Sequence, residues 1–278
     1  MSDFRLKVFQ SVAKNLSFTK ASQELFVSQP AITKHIQELE TYYQARVFER
    51  QGSKISLTDA GELLLKLSEM CVDDYKQLEY EMHLLHNEYI GELRLGASTT
   101  IAQYVLPPLL GNFIAKFPQV NLSLINGNSR GVETALQEHR IDLGLVEGIF
   151  RLPNLKYTSF LQDELVAVEH AHTKLDIQDE ITPEDLPNIP LVLRERGSGT
   201  LDVFERALSQ HNLKLSSLNV MMYLGSTESI KLFLEHTDCM GIVSIRSVHK
   251  ELVAGNLRVI EIKGMPMQRE FNFVQLQG

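Results

Sequence analysis

From Thr58 to about Glu88 the chain holds no proline, and its sole glycine there, Gly61, falls in the first turn. Leu64, Leu67, Cys71, Tyr75, Leu78, Met82, Leu85 and Tyr89 step through the run by threes and fours. That spacing predicts one helix of about thirty residues, roughly 45 Å long. A helix with a single apolar stripe, and nothing in its own module to bury it, asks for a partner. Pairing with its twin in a second copy meets that need; packing on the body of its own chain is the alternative. Either way the helix separates a short leading segment from a long trailing one.

The leading segment is basic. Residues 1–57 carry eight Lys and Arg against five Asp and Glu, a local +3, so the net −8 of the whole chain leaves −11 for the remainder. Phe4, Val8, Phe9, Val12 and Ala13 mark a first amphipathic helix ending near Asn15. Thr19 then reads as the cap of a short second helix over Lys20 to Leu25, with a break at Phe26–Val27. Ser28 caps a third helix whose first turn holds Pro30, where a missing N–H costs little. Ile32, Ile36, Leu39 and Tyr43 are expected to face inward, and Gln29, Thr33, Lys34 and Gln37 outward.

A helix start carries partial positive charge and free N–H groups, which suit phosphate. Glutamine pairs with adenine in the major groove, threonine approaches a thymine methyl, and lysine reaches guanine or phosphate. The segment therefore reads as a helix-turn-helix that leads with the first turn of its third helix. A three-helix knot with a polar surface is the bland alternative. The stretch VFERQGSKISLTDAG alternates apolar and polar residues around Gly52 like a hairpin, with Arg50 and Lys54 on it as backbone contacts.

Ala21, Leu25, Ser28, Gln29, Pro30, Ala31, Ile36, Leu39, Glu40, Phe48, Arg50, Leu57, Thr58, Ala60 and Gly61 together closely resemble the winged helix-turn-helix of LysR-type transcriptional regulators. The one mild departure is Val47, where leucine is usual. The resemblance places Ser28, Gln29, Pro30 and Thr33 at the DNA. It implies a homodimer through residues 58–88, a homotetramer beyond that, and a pseudo-palindromic operator in double-stranded DNA.

Beyond a hinge at Asn87–Gly91, strand and helix signals alternate. Strands are expected at Glu92–Ala97, Val120–Ile125, Ile141–Glu147, Glu164–Val168, Pro190–Arg194, Asn219–Leu224 and Met240–Ser244. Helices are expected at Tyr104–Phe117, Arg130–Glu138, Leu201–His211 and Ser229–Glu235. This is an α/β body in two similar lobes on a largely parallel sheet. Regulators of the LysR type have such a body, similar to periplasmic binding proteins. The resemblance sets the crossings near Gln162–Asp163 and Pro266, with Glu270–Gln275 returning to the first lobe. The expected domains are a DNA-binding head over 1–57, a linker helix over 58–88, effector lobe I over 91–162 plus 266–278, and effector lobe II over 163–265. In the family a helix usually follows the last strand, and here the sequence stops at Gly278.

Ligands of open α/β sheets bind beyond the carboxyl ends of strands. Ser98, Thr99 and Thr100, then Asn128 and Ser129, then Ser198, Gly199 and Thr200 lie at such strand–helix junctions, with Arg194 and Arg196 beside the last. Hydroxyls, bared backbone and helix dipoles predict a cradle for a small anion, although Ser and Thr at such junctions are often only caps. Glu147 would repel a dianion, hydrogen-bond a protonated or hydroxylated ligand, or cap the second lobe. GASTTI, NGNS, LVEG and GSGT resemble the branch of the family that regulates sulfur assimilation and carbon fixation, whose effectors are small inorganic or phosphorylated anions.

Other signals are weak. His170 and His172 form an HxH without two further ligands, so no metal is expected. GSGT lacks the ending of a phosphate loop, no GxSxG elbow occurs, and no cofactor or catalytic set is expected. Cys71 and Cys239 have no CxxC spacing, the leading residues hold no apolar h-region, and no apolar run is long enough for a bilayer; a cytoplasmic protein is expected. An enzyme on the same scaffold and a transporter's solute-binding component are the rivals. The first offers only Glu147 as a titratable cleft group, and the second has no use for residues 1–88.

Overall fold

The computed structural model describes residues 4–51, 54–85, 89–175 and 177–277. The chain divides into two compact units, Met1–Ile90 and Gly91–Gly278.

The first unit runs α1 (Phe4–Asn15), α2 (Phe18–Glu24), α3 (Gln29–Tyr43), β1 (Phe48–Gln51), β2 (Lys54–Leu57) and α4 (Asp59–Leu84). Val8, Phe9, Val12, Ala21, Ile32, Ile36 and Leu39 are its buried core. Phe48 enters from the hairpin and packs against Phe9 and Phe18 at 5.4 and 5.9 Å between centroids. β1 and β2 pair antiparallel, Phe48 opposite Leu57 and Arg50 opposite Ile55. The resemblance-bearing residues hold this hairpin in place. Glu40 accepts from the Val47 amide at 2.9 Å, and the Thr58 hydroxyl donates to the Arg46 carbonyl at 2.6 Å. A Cβ on Gly61 would stand 2.1 Å from the Val47 carbonyl oxygen, so only glycine lets α4 start this close to the wing.

Three details differ from expectation. The cap of α2 is Ser17, which accepts from the Lys20 amide at 3.2 Å; Thr19 sits inside the helix and is exposed. Tyr43 is exposed because α3 ends there, with Gln44 left-handed at φ 50°; its ring meets Tyr42 edge-on instead of the core. α4 is 26 residues long, about 39 Å. Its first turns pack Leu64 and Leu65 on the core, while Leu67, Leu78, Met82 and Leu85 are exposed. Gly52, the expected centre of the hairpin, and Asn87 and Glu88 of the expected hinge, lie outside the described residues.

In the second unit, β3 (Gly91–Ser98) pairs parallel with β4 (Val120–Gly127) and β5 (Leu143–Glu147). The connections are α5 (Leu106–Lys116) and α6 (Ser129–Gln137). β6 (Leu155–His170) follows, then β7 (Glu180–Ile181) and β8 (Leu191–Arg194). α7 (Gly199–Gln210), β9 (Val220–Leu224), α8 (Thr227–Leu234), β10 (Met240–Ser244) and α9 (Ile245–Ala254) complete the second half, and β11 (Leu257–Ile262) and β12 (Gln268–Leu276) close the chain. β8 pairs parallel with β9 and β10.

The halves are joined through antiparallel strands. β6 pairs with β12 from Leu155 to Glu164, then with β10 from Leu165 and with β11 from Ala167. One sixteen-residue strand therefore serves both halves where the sequence reading has only Glu164–Val168. The sheet is accordingly mixed, and it is parallel only in the outer part of each half. The first half of β6 escapes sequence reading because its alternation, regular from Leu155 to Thr158, loses phase at Ser159, where the ladder with β12 slips between Phe271 and Asn272.

Candidate functional sites

In the first unit the start of α3 stands open. Ser28, Gln29, Pro30, Lys34 and Gln37 are exposed and Thr33 half-buried, its hydroxyl donating to the Gln29 carbonyl at 3.1 Å. Ser28 makes no side-chain cap bond, so the first amides of α3 keep their donors for something else. Lys34 stands 3.9 Å from Glu38, an exposed pairing that holds it weakly. A groove alongside is lined by Arg5, Lys34, Gln37, Glu38, Thr41 and Tyr42. Arg50 and Lys54 lie on the hairpin strands, but their side chains are outside the described residues.

Sequence reading passed over Phe26. It is 95% exposed and left-handed at φ 54°, a conformation a bulky side chain rarely takes. The Val27 amide reaches back to the Ser22 carbonyl at 3.1 Å, so the turn that sends Val27 into the core throws Phe26 outward beside the start of α3. The signal available was the break itself, with no glycine to make it.

In the second unit the three junctions do meet, along a seam between the halves. The Arg130 amide donates to the Gly197 carbonyl at 3.3 Å, and a Cβ on Gly199 would stand 2.1 Å from the Glu147 carbonyl oxygen. Ser98, Thr99, Thr100, Ser129, Glu147, Ser198, Gly199 and Thr200 are all buried. Instead of an open cradle, the structure has a packed polar seam whose hydroxyls are mostly taken up by Glu147, backbone groups and arginine. Ser98 donates to the Glu147 carboxylate, and Ser129 donates to the Glu147 carbonyl at 2.6 Å. Asn128 and Ser198 cap α6 and α7.

Glu147 is no free carboxylate. Arg269, from β12, lies 3.5 Å from it, bonds Asp163 at 2.8 Å, and donates to Thr200 at 2.9 Å. Arg269 and Asp163 sit where β12 and β6 cross between the halves, so the seam and the crossing share one buried ionic network. No local pattern in the sequence marks either residue; the pairing spans 106 positions. Two buried polar atoms of the seam have no partner among the described residues, the Thr100 hydroxyl and one Nη of Arg269.

The cation at the third junction is Arg194, not Arg196. Arg196 is exposed, whereas Arg194 is 2% exposed. The end of β8 explains the exchange: all four of its residues are buried and Arg194 is the last of them, whereas Arg196 lies beyond the strand. Arg194 reaches Thr99 at 3.3 Å, Thr227 at 3.4 Å and the Gly225 carbonyl at 3.3 Å, and so spans both halves. Tyr104 bridges them as well, donating to Glu228, which is also paired with Lys231 at 2.8 Å. Burial pushes the Tyr104 hydroxyl above the usual range, and the Glu228 bond pushes it further. Tyr104 projects from a π-helical turn, Ile101–Val105, that leads into α5.

Close to the start of α7, burial raises Asp202 to about 6, with Glu205 adding and Arg130 opposing. His170 and His172 touch edge-on at 5.7 Å at the end of β6, and no group of three potential metal ligands occurs among the described residues. No described helix is long and apolar enough to cross a membrane.

Residues 4–62 match the family of bacterial regulatory helix-turn-helix proteins of the lysR family, and residues 86–278 match the LysR substrate binding domain. The transcriptional regulator CysL of Bacillus subtilis is 29% identical over 97% of this chain and 89% of its own length. The transcriptional activator CmpR of Synechocystis is 32% identical over 97% of this chain and 88% of its own. Among solved structures, the Synechocystis CcmR regulatory domain in complex with 2-PG is 28% identical, with a TM-score of 0.60 over 68% of this chain and 88% of that one.

Proposed function

The chain belongs to the LysR family of transcriptional regulators, in the branch its motifs resemble, and from that premise we propose that a small anion held in the polar seam sets how paired heads sit on DNA. It is a DNA-binding regulator and not an enzyme. Under this reading Thr19, Ser28, Gln29, Pro30, Thr33, Lys34 and Gln37 meet the duplex, with Arg50 and Lys54 along its backbone. The exposed stripe of α4 pairs two copies through residues 58–88, and the bodies assemble dimers into a homotetramer in the cytoplasm.

The observation that carries the anion is Arg194: a fully buried guanidinium, shared between halves, bonded to Thr227 at the start of α8 and to Thr99. The complex of CcmR with 2-PG supports the ligand class. Ser98, Asn128, Ser129, Glu147, Arg196, Ser198, Gly199 and Thr200 are then the surroundings of the site, Glu147 acting as counter-ion to Arg269. Because the seam is closed, an anion acts by binding one separation of the halves better than another.

Selection from a randomised duplex library tests this directly. We expect enrichment of a two-fold site with half-sites one or more helical turns apart, and a change in its affinity or footprint on adding sulfate or phosphate. A monomer that enriches nothing at low salt would refute the reading.

A further inference from the structure

Arg194 already holds an anion, and it comes from the next residue. Its Nε donates to one carboxylate oxygen of Glu195 at 2.9 Å, and one Nη donates to the other at 3.2 Å. This side-on, two-pronged grip is the one a guanidinium gives to a phosphate or sulfate. The other bonds of Arg194, to Thr99, Thr227 and Gly225, are long at 3.3 to 3.4 Å, so the Glu195 fork is its best-made contact.

The two partners are unequally placed. The Arg194 side chain is 1% exposed and fixed at the end of β8, whereas the Glu195 side chain is 27% exposed and lies beyond the strand's last residue. Glu195 can turn into water at small cost; Arg194 cannot follow without leaving a buried charge unpaired. An arriving tetrahedral anion would find the same two N–H groups, with the Thr99 and Thr227 hydroxyls beside them. Thr100, one residue further along the chain than Thr99, has a buried hydroxyl with no partner among the described residues.

We propose that Glu195 is a built-in competitor for the anion seat on Arg194: it neutralises the guanidinium when no ligand is bound and is displaced when a tetrahedral anion binds. The proposal rests on the anion reading of the seam and adds a regulatory element to it. Affinity is held down by the carboxylate that must leave, so the regulator responds to an accumulated metabolite and not to traces. Displacement also frees a negative charge beside Gly197–Thr200, the segment that touches the other half, and so couples occupancy to the seam.

The test uses full-length protein with inorganic sulfate and phosphate as probes, read by calorimetry and thermal shift. Glu195→Gln keeps shape and removes the competing charge. We expect its dissociation constant for sulfate to fall about tenfold or more relative to the unsubstituted chain, with a larger sulfate-induced rise in Tm from a lower starting Tm. Glu195→Ala should behave alike, and Arg194→Lys, which loses the fork, should bind several-fold more weakly than either. Equal or weaker sulfate binding by both Glu195 variants, with binding by the unsubstituted chain intact, overturns the competitor and leaves the anion site standing. Absence of binding in every variant at millimolar probe overturns the anion site and the competitor together.

Discussion

Gly199→Ala should drive the two halves of the second unit apart. The added Cβ would lie 2.1 Å from the Glu147 carbonyl oxygen, 2.5 Å from its carbonyl carbon and 2.7 Å from its Cγ. Ordinary contact begins at 3.4 Å, so backbone must retreat by about 1.3 Å on a side where no flexible side-chain tip can absorb the motion. Forcing a methyl into packed backbone costs about 1–3 kcal/mol. Alanine at the start of α7 returns at most about 1 kcal/mol of helix propensity. The net effect is therefore destabilising. Gly111, exposed in α5 with nothing within 4 Å, supplies the control: there the same substitution should stabilise by about 0.5–1 kcal/mol. For a unit of this size about 1 kcal/mol moves Tm by about 2–4 °C, so the two variants should melt several degrees apart on opposite sides of the parent. Far-ultraviolet circular dichroism is the assay, since the chain has no tryptophan. Should Gly199→Ala melt with or above Gly111→Ala, the halves do not meet this tightly in solution.

Three shorter tests follow from the same geometry. Lys34→Ala should weaken DNA binding about tenfold at low salt and reduce the slope of log K against log salt by about 1, measured by anisotropy across a salt series. Phe26→Asn relieves a left-handed phenylalanine and should raise the melting temperature by an amount equivalent to about 1 kcal/mol; an unchanged or lower value would show that the turn stores no strain. For Asp202, the folded pKa of about 6 lies above the ordinary aspartate value, so the folded state binds more protons between about pH 4 and 6. Stability from this group is then present at the acid end of that window and is lost as pH rises through 6, by on the order of 1–2 kcal/mol after screening. Asp202→Asn should flatten that part of the profile, and denaturant midpoints at pH 4.5 and 7 would reveal it.

Local chemistry settled much of this protein before any tertiary contact. Although the cap bond expected of Ser28 is not made, Pro30 and the i, i+4, i+7 run of Ile32, Ile36 and Leu39 dictate α3 and its outward face, because a first-turn proline and periodicity act within a few residues. The same holds for the long apolar stripe of α4 and for the strand–helix alternation after Gly91. Where competing local signals were close, the structure decided: Ser17 outdid Thr19 as a cap, and Tyr43 fell past the last turn that faces the core. β6 is one strand through both halves because β12, over a hundred residues later, pairs with it; no window of neighbouring residues contains that fact. Likewise the seam's charges, Arg269 with Asp163 and Glu147, and Arg194 in place of Arg196, depend on which strand ends the fold brings together. A sequence announces the propensities of its segments, but which buried charge finds which partner is fixed only once distant strands have closed water out of the space between them.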